Sequence, residues 1–482
     1  MSEIWRHPFS LEGNYYPLVP TTFWIECHLW KLDPFGYHLN NLFLHLLNAS
    51  LLGIVLSELL IPGAWLAAAI FALHPVHVES VAWIAERKNV LFLFFSLLAF
   101  LSYFRFSLAE SARRARSYYL LSLSAFIFAV ISKPTAATFP LITFILIARK
   151  KGRADRRDIL PLLIFLAIGA GLALFPFLIE GRQVAQSGSF NLSLIDRSLI
   201  AGKAIWFYLG KIFWPVRLSF IYPAWKINAH NPFQYLPLAS AILLAVTLWI
   251  FRRRIGTGPF VAFAFFVISL APTLGFFDIN FMRYSFVADH WQYQAAIGPI
   301  ALTASFLSRR KSRIFRLISG MILISLGILT WKRGVAYQDN ETIWKDTLAK
   351  NPDAAVAEYN LGADAFRKSQ LDDALKHYSK AIEMKSDYAE AHNNLAVLWI
   401  REGKFEKAEE ESRAALRIWP DYLPAHANLG VALARLGKSD EAIKHFSIVS
   451  QAKPDDAASL SNLKLAEALR NKSADQRRDS LT

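Results

Sequence analysis

The chain of 482 residues is 54% hydrophobic, with 37 Phe and 14 Trp and a positive mean hydropathy, an excess that an ordinary soluble domain does not carry. Its single cysteine, Cys27, excludes an internal disulfide and a cysteine-built zinc site. The formal charge of +15 sits largely in short loops between apolar stretches, which points to a membrane partner and not to nucleic acid.

Residues 1–38 read as a polar and aromatic N-terminal segment. Apolar stretches of spanning length then run over 39–60, 64–74 with a continuation to about 85, 89–105, 117–132, 135–149, 158–179, 233–251, 258–276, 292–307 and 314–331. About ten transmembrane helices are therefore expected. The second stretch is broken by His74-Pro75-Val76-His77-Val78-Glu79, which lipid-facing backbone would not tolerate unless it lined a protein cavity.

The basic loops 105–116, 149–157, 252–254 and 309–313 all fall on one face when ten spans are counted, and the positive-inside rule makes that face cytoplasmic. The same count places residues 1–38, the HPVHVES string, Lys133-Pro134, the outer loop 180–232, segment 277–291 and everything after 331 on the far side. Within the outer loop, residues 197–214 read as an amphipathic helix lying along the interface, with Trp206, Phe207 and Trp214 among basic residues. The N-terminal segment would have to cross with no preceding helix, which predicts a missing upstream helix.

The region 332–482 changes character. Asp353, Asp387, Asp421 and Asp455 stand 34 apart, as do Asn360, Asn394, Asn428 and Asn462, and Leu361, Leu395, Leu429 and Leu463. Ala374, Ala408 and Ala442 share that register, and Pro420 and Pro454 close repeats. This period is the signature of tetratricopeptide repeats, expected at about 354–387, 388–421 and 422–455 with a solvating helix to 470. The composition of 471–482 predicts disorder. The array suits a protein or peptide partner; a spacer or dimerisation module fits equally well. The expected fold is thus all-α, a polytopic helix bundle followed by an α-solenoid.

Two strings carry ionisable groups at the outer ends of apolar stretches, where such groups are costly and by default functional. In 71–92 these are His74, His77, Glu79, Arg87 and Lys88; in 282–298 they are Arg283, Tyr284, Asp289, His290 and Tyr293. Three readings compete for the first string. His74, His77 and Glu79 could hold a divalent cation, although on a regular helix Glu79 points away from His74. A purely structural cluster would have His74 capping a helix and Glu79 paired with Arg87. An anion site would use Arg87 and Lys88 for a phosphate while a carboxylate does base chemistry.

The strings PFGYHLNNLFLHLLN (34–48), FALHPVHVESVAWIAERKNVL and MRYSFVADHWQYQAAIG (282–298), together with the repeats, resemble bacterial relatives of the transmembrane and tetratricopeptide-repeat-containing O-mannosyltransferases. The resemblance covers nearly the whole chain. It implies the C-type glycosyltransferase fold, a polyprenyl-phosphate sugar as donor, and a multi-pass place in a bacterial inner membrane with the repeats in the periplasm, or in the endoplasmic reticulum membrane of a eukaryote. It carries over His74, His77, Glu79 and Arg87 on one lumenal segment and Arg283, Tyr284, Asp289, His290 and Tyr293 on a loop near the donor. Glu79 and His77 are then the catalytic candidates, and Arg87, Lys88, Lys133 and Arg283 the candidates for the donor phosphate.

The chain departs from that pattern at the start. The family's acidic pair precedes a Pro-Leu motif, which Tyr16-Pro17-Leu18 matches here, but the upstream helix and acids are lacking, and Glu3 and Glu12 replace them poorly. The competing readings are therefore an inactive, truncated form or a non-catalytic membrane scaffold for surface assembly, with a polysaccharide ligase or transporter third.

Overall fold

The computed structural model describes residues 16–152, 155–186, 192–310 and 312–454 and scattered positions from 460 to 470. The expectations about Glu3, Glu12, the tail 471–482 and most of the helix after Pro454 lie outside these. All regular secondary structure among the described residues is helical, and they divide into two compact units between Asp339 and Asn340.

In the first unit, α1 (Leu18–Trp30) is the first helix among the described residues and ends at Lys31, whose φ of 53° breaks the helical path. This helix lies within the segment 1–38, which was expected as a polar and aromatic stretch with no secondary structure assigned to it. α2 (Pro34–Glu58) starts where the Asp33 side chain accepts a hydrogen bond from the Phe35 amide and Pro34 presets the first turn. α3 (Ala64–Ala72) gives way to a 3-10 turn, Pro75–His77, and a short helix, Val78–Ala82, at a bend of 54°. The break has a local cause: Pro75 cannot continue the α3 hydrogen bonds, and the His74 side chain accepts from the Val76 amide.

α4 (Arg87–Leu108) and α5 (Ala112–Ser132) pack along one another, followed by α6 (Phe139–Lys151), α7 (Arg156–Gln186) and the amphipathic α8 (Leu194–Phe213). α8 buries Leu199, Ile200, Ala204, Ile205, Tyr208 and Ile212 on one face while Phe213 and Trp214 are exposed. Its capping box joins Ser193 and Asp196. α9 (Leu236–Ile250), α10 (Gly258–Leu270), α11 (Ile297–Arg309) and α12 (Arg313–Val335) complete the unit.

Among the described residues six helices are long and apolar enough to cross a membrane, and the bent pair at residues 64–82 makes up to seven, so this is a multi-pass membrane protein. Each of the ten expected stretches contains a helix, but α6, α10 and α11 have 13 residues each. At 1.5 Å per residue each is about 20 Å long, short of a hydrocarbon core of about 30 Å. Burial is also unequal. Of the most apolar window, 78% is buried for the α4 span but 6% for the α9 and α12 spans, which places α4 in the centre and leaves α9 and α12 with apolar sides for lipid.

In the second unit, α13 (Asn340–Lys350) precedes three helix pairs: α14 (Ala355–Arg367) with α15 (Leu371–Met384), α16 (Ala389–Arg401) with α17 (Phe405–Ile418), and α18 (Leu423–Arg435) with α19 (Ser439–Ala452). Ala374, Ala408 and Ala442 are fully buried at the close approach of each pair. Of the Asn column, Asn394 donates to the Tyr359 and Tyr378 hydroxyls and Asn428 to Asn393, while Asn360 bonds within its own helix.

Candidate functional site

The two polar strings meet. Glu79, on the helix Val78–Ala82, is hydrogen-bonded at 2.6 Å to His290 Nδ1 across 211 residues of chain. An ionised carboxylate only accepts, so Nδ1 is the donor. Beside them, Asp289 Oδ1 accepts from the Tyr222 hydroxyl at 2.9 Å. Glu79, Asp289 and His290 are all at most 3% exposed, and Glu79 Oε2 and Asp289 Oδ2 have no hydrogen-bond partner among the described residues. Burial, and then the charge of Glu79, push the Asp289 carboxyl above the usual carboxylate range, against the pull of Arg333 and the Tyr222 hydrogen bond. Arg333, 6% exposed near the end of α12, puts its positive charge on both acids and donates to the Tyr337 hydroxyl at 3.0 Å.

A second set of groups adjoins the first. His290 Nε2 lies 4.0 Å from Glu86, whose carboxylate takes Lys88 at 2.8 Å and the Asn89 amide at 2.6 Å. Asn89 also donates to the His290 carbonyl at 3.1 Å and accepts from Lys133 Nζ at 2.5 Å. Lys88 and Lys133 are thereby held within reach of the acid cluster through Glu86 and Asn89. Tyr293 donates to or accepts from His45 Nδ1 at 2.7 Å and accepts from Asn48 at 3.3 Å, tying the loop to α2.

Several expectations need correcting. Arg87 does not pair with Glu79: it is bound by Glu26 of α1, by Asn41 and, at 2.9 Å, by the Tyr37 carbonyl, with its guanidinium over Phe23. At 1% exposure with its fork filled by these partners, it ties α1, α2 and α4 together. His74, His77 and Glu79 do not converge on a point. His74 Nε2 bonds the Ile212 carbonyl at 2.9 Å while Glu79 turns to His290, and among the described residues no group of three His, Cys, Asp or Glu side chains is placed to hold a metal ion. His74 does cap the turn, as the structural reading expected.

His77 stands apart. Both its ring nitrogens are buried with no partner among the described residues, and the ring meets Tyr293 edge-on at 5.0 Å and Phe71 at 4.3 Å. It borders a cavity of about 640 Å³ together with His45, His74, Thr330 and Gly334. Arg283 and Tyr284 are half-buried at the turn Asn280–Arg283. The sequence reading missed Glu26, Tyr222, Glu86 and Arg333. Glu26 had a signal: it is the only acid in the otherwise apolar run 18–30.

Fold and site together describe a multi-pass helical membrane protein with a buried carboxylate cluster and a tetratricopeptide array. The tetratricopeptide repeat model matches residues 359–423. Among curated proteins, the chain is 25% identical over 408 residues to protein O-mannosyl-transferase F38B6.6 of Caenorhabditis elegans, covering 80% of this chain and 56% of that one. It is 22% identical over 448 residues to human protein O-mannosyl-transferase TMTC3, covering 80% and 46%. The chain is thus a distant relative of these transferases and spans about half their length. Among solved structures, the first tetratricopeptide domain of Spaghetti (RPAP3), bound to an HSP90 peptide, is 26% identical over 24% of this chain and 93% of that one, with a TM-score of 0.23.

Proposed function

We propose that the protein is an integral-membrane glycosyltransferase that moves a mannose-like sugar from a polyprenyl phosphate to a hydroxyl of a protein or envelope-glycan acceptor on the extracytoplasmic face, with a C-type glycosyltransferase fold. The observation that carries the reading is the Glu79–His290 hydrogen bond, which joins two distant strings into one buried site with unpartnered carboxylate oxygens.

In such a transfer the bond between the sugar's anomeric carbon and the phosphate oxygen breaks, the acceptor oxygen bonds to that carbon, and the hydroxyl proton goes to a carboxylate. Asp289 is the better base of the two. Its Oδ2 is buried without a hydrogen-bond partner among the described residues, and a carboxyl raised toward neutrality is matched to taking a proton, whereas Glu79 is engaged in orienting His290. Lys88, Lys133 and Arg283 supply the cations for the departing lipid phosphate. Both carboxylates are 1% exposed, so an acceptor reaches them through a local opening, and the cavity beside His77 and Gly334 borders that region. The distant likeness to O-mannosyl-transferases supports the same chemistry, and the repeats suit the holding of a protein acceptor on the outer face of a bacterial inner membrane.

The test is transfer of labelled mannose from synthetic polyprenyl-phosphate mannose to envelope proteins by the purified chain, read by mass spectrometry. Transfer lost in Asp289→Asn supports the reading. If wild-type protein transfers nothing while the repeats still retain an envelope protein, the non-catalytic scaffold replaces it.

A further inference from the structure

A second cavity, of about 460 Å³, lies apart from the acid cluster among α2, α4, α6, α10 and α11. Its lining runs along the whole of α11, from Gln294 just before that helix to Arg309 at its end, about 20 Å at the helical rise. The walls are apolar, including Leu52, Leu93, Phe139 and Phe265, and no acidic side chain borders them. The far end is different. Arg149 and Arg309, from the last turns of α6 and α11, both line it and are close enough to repel one another. Neither has an acidic partner among the described residues, and Glu58 at the end of α2 is committed to Arg105 at 3.3 Å.

Two adjacent cations without an acid are unfavourable in a half-buried setting unless an anion joins them. A long apolar cavity that ends at such a pair fits one molecule that is apolar along its length and anionic at its end. A cavity of this length exceeds the roughly 15 Å half-thickness of a hydrocarbon core, so it can take an acyl chain in full. We infer that the cavity holds an anionic diacyl phospholipid, its phosphate between Arg149 and Arg309 and an acyl chain along α11. The headgroup sits at the end remote from Asp289 and Glu79, so this lipid is a resident of the bundle and not a substrate of the acid cluster. It fills the space between the short helices α6, α10 and α11, which on their own do not reach across a bilayer.

The experiment uses the full chain, purified in detergent and equilibrated with vesicles of phosphatidylcholine containing a minority of phosphatidylglycerol, then analysed by native mass spectrometry. One phosphatidylglycerol per chain should survive delipidation in preference to phosphatidylcholine. Arg149→Ala with Arg309→Ala should reduce that preference roughly thirtyfold, the share of two basic residues facing an anionic headgroup. Arg149→Lys with Arg309→Lys should keep most of it. Ala301→Phe, which fills the cavity wall without touching charge, should reduce retention of both lipids. Equal retention of phosphatidylcholine and phosphatidylglycerol by the wild type, or no retained lipid, overturns the inference without any variant. Stoichiometric displacement of phosphatidylglycerol by added polyprenyl phosphate also overturns it, since the occupant would then be the proposed donor.

Discussion

Replacing Arg87 by Ala separates a structural strut from a phosphate ligand. The guanidinium holds Glu26, Asn41 and the Tyr37 carbonyl, so its removal leaves a 2%-exposed carboxylate without a cation and takes a donor from Asn41 and from the Tyr37 carbonyl. Breaking one side of a buried pair costs about 3–5 kcal/mol, because the surviving charge remains desolvated. Glu26→Gln should cost less, since an amide still accepts from the guanidinium. Replacing both partners by apolar residues of similar volume should recover part of the loss, as the uncompensated charge is gone. Arg87→Lys keeps the charge but loses the planar fork that reaches Asn41 and Tyr37 as well as Glu26. The assay is thermal unfolding of the detergent-purified variants alongside transfer from lipid-linked mannose. A leaving-phosphate ligand behaves differently: its loss leaves stability intact and lowers rate by roughly 10² to 10³. Arg87→Ala melting within about 1 kcal/mol of the wild type, with transfer abolished, would refute the strut.

Asp289→Asn should remove transfer and alter pH dependence. A carboxyl whose folded value is raised binds its proton more tightly in the native state, so wild-type stability contributed by Asp289 falls as pH rises above the ordinary aspartate value of about 4, and the Asn variant should gain on it there. Wild-type transfer should have its rising limb displaced upward from that value; a limb near 4, unchanged in a variant that lacks Tyr222's hydroxyl, would remove Asp289 as base. A reporter that is active only in the cytoplasm, fused after Thr482, should be silent, and strong activity would invert the proposed topology. In the repeats, a Cβ at Gly430 would lie 2.6 Å from a Phe446 ring carbon, so Gly430→Ala should cost about 1–3 kcal/mol in a urea melt of a soluble fragment 336–475, with an unchanged melt counting against the packing.

Spans and repeats were legible because each rests on a regular signal: long apolar runs in the first unit, a 34-residue period in the second. The helix count was legible only in part. Hydropathy does not measure helix length: α6 starts only at Phe139, after the 3-10 turn that Pro134 opens, and α10 ends at Leu270, where Ala271–Thr273 with Pro272 forms a 3-10 turn. In the site, ionisable type and position identified Glu79, Asp289 and His290, yet partner choice went astray. Arg87 and Glu79 stand near one another in sequence, which invited the pairing. The bend at Pro75 and the separate turn at Ile84–Glu86 instead send Glu79 toward the 289–292 turn and Arg87 toward α1. A contact that depends on a bend between two short helices cannot be counted off a regular period.

The repeats show the same limit in a simpler setting. The 34-residue period makes the buried Ala374, Ala408 and Ala442 visible, because the same residue recurs at the same contact. The contact sixteen positions earlier and later in each pair obeys a different rule. Gly362 faces Tyr378 and Gly430 faces Phe446, with ring carbons at 2.8 and 2.6 Å from where a Cβ would stand, while the middle repeat has Ala396 and Ser412 at the corresponding places, both fully buried. In the first and third pairs a ring fills the space a glycine leaves, and in the middle pair a methyl meets a small hydroxyl side chain, so the size at one position follows the size at the other although neither column conserves a residue. A glycine that looks like a helix-weakening choice is the space into which the partner ring packs, and a periodicity search that scores identities passes over it. Packing therefore selects residues jointly across the pair, and the column-by-column pattern records only those contacts where both partners stay the same.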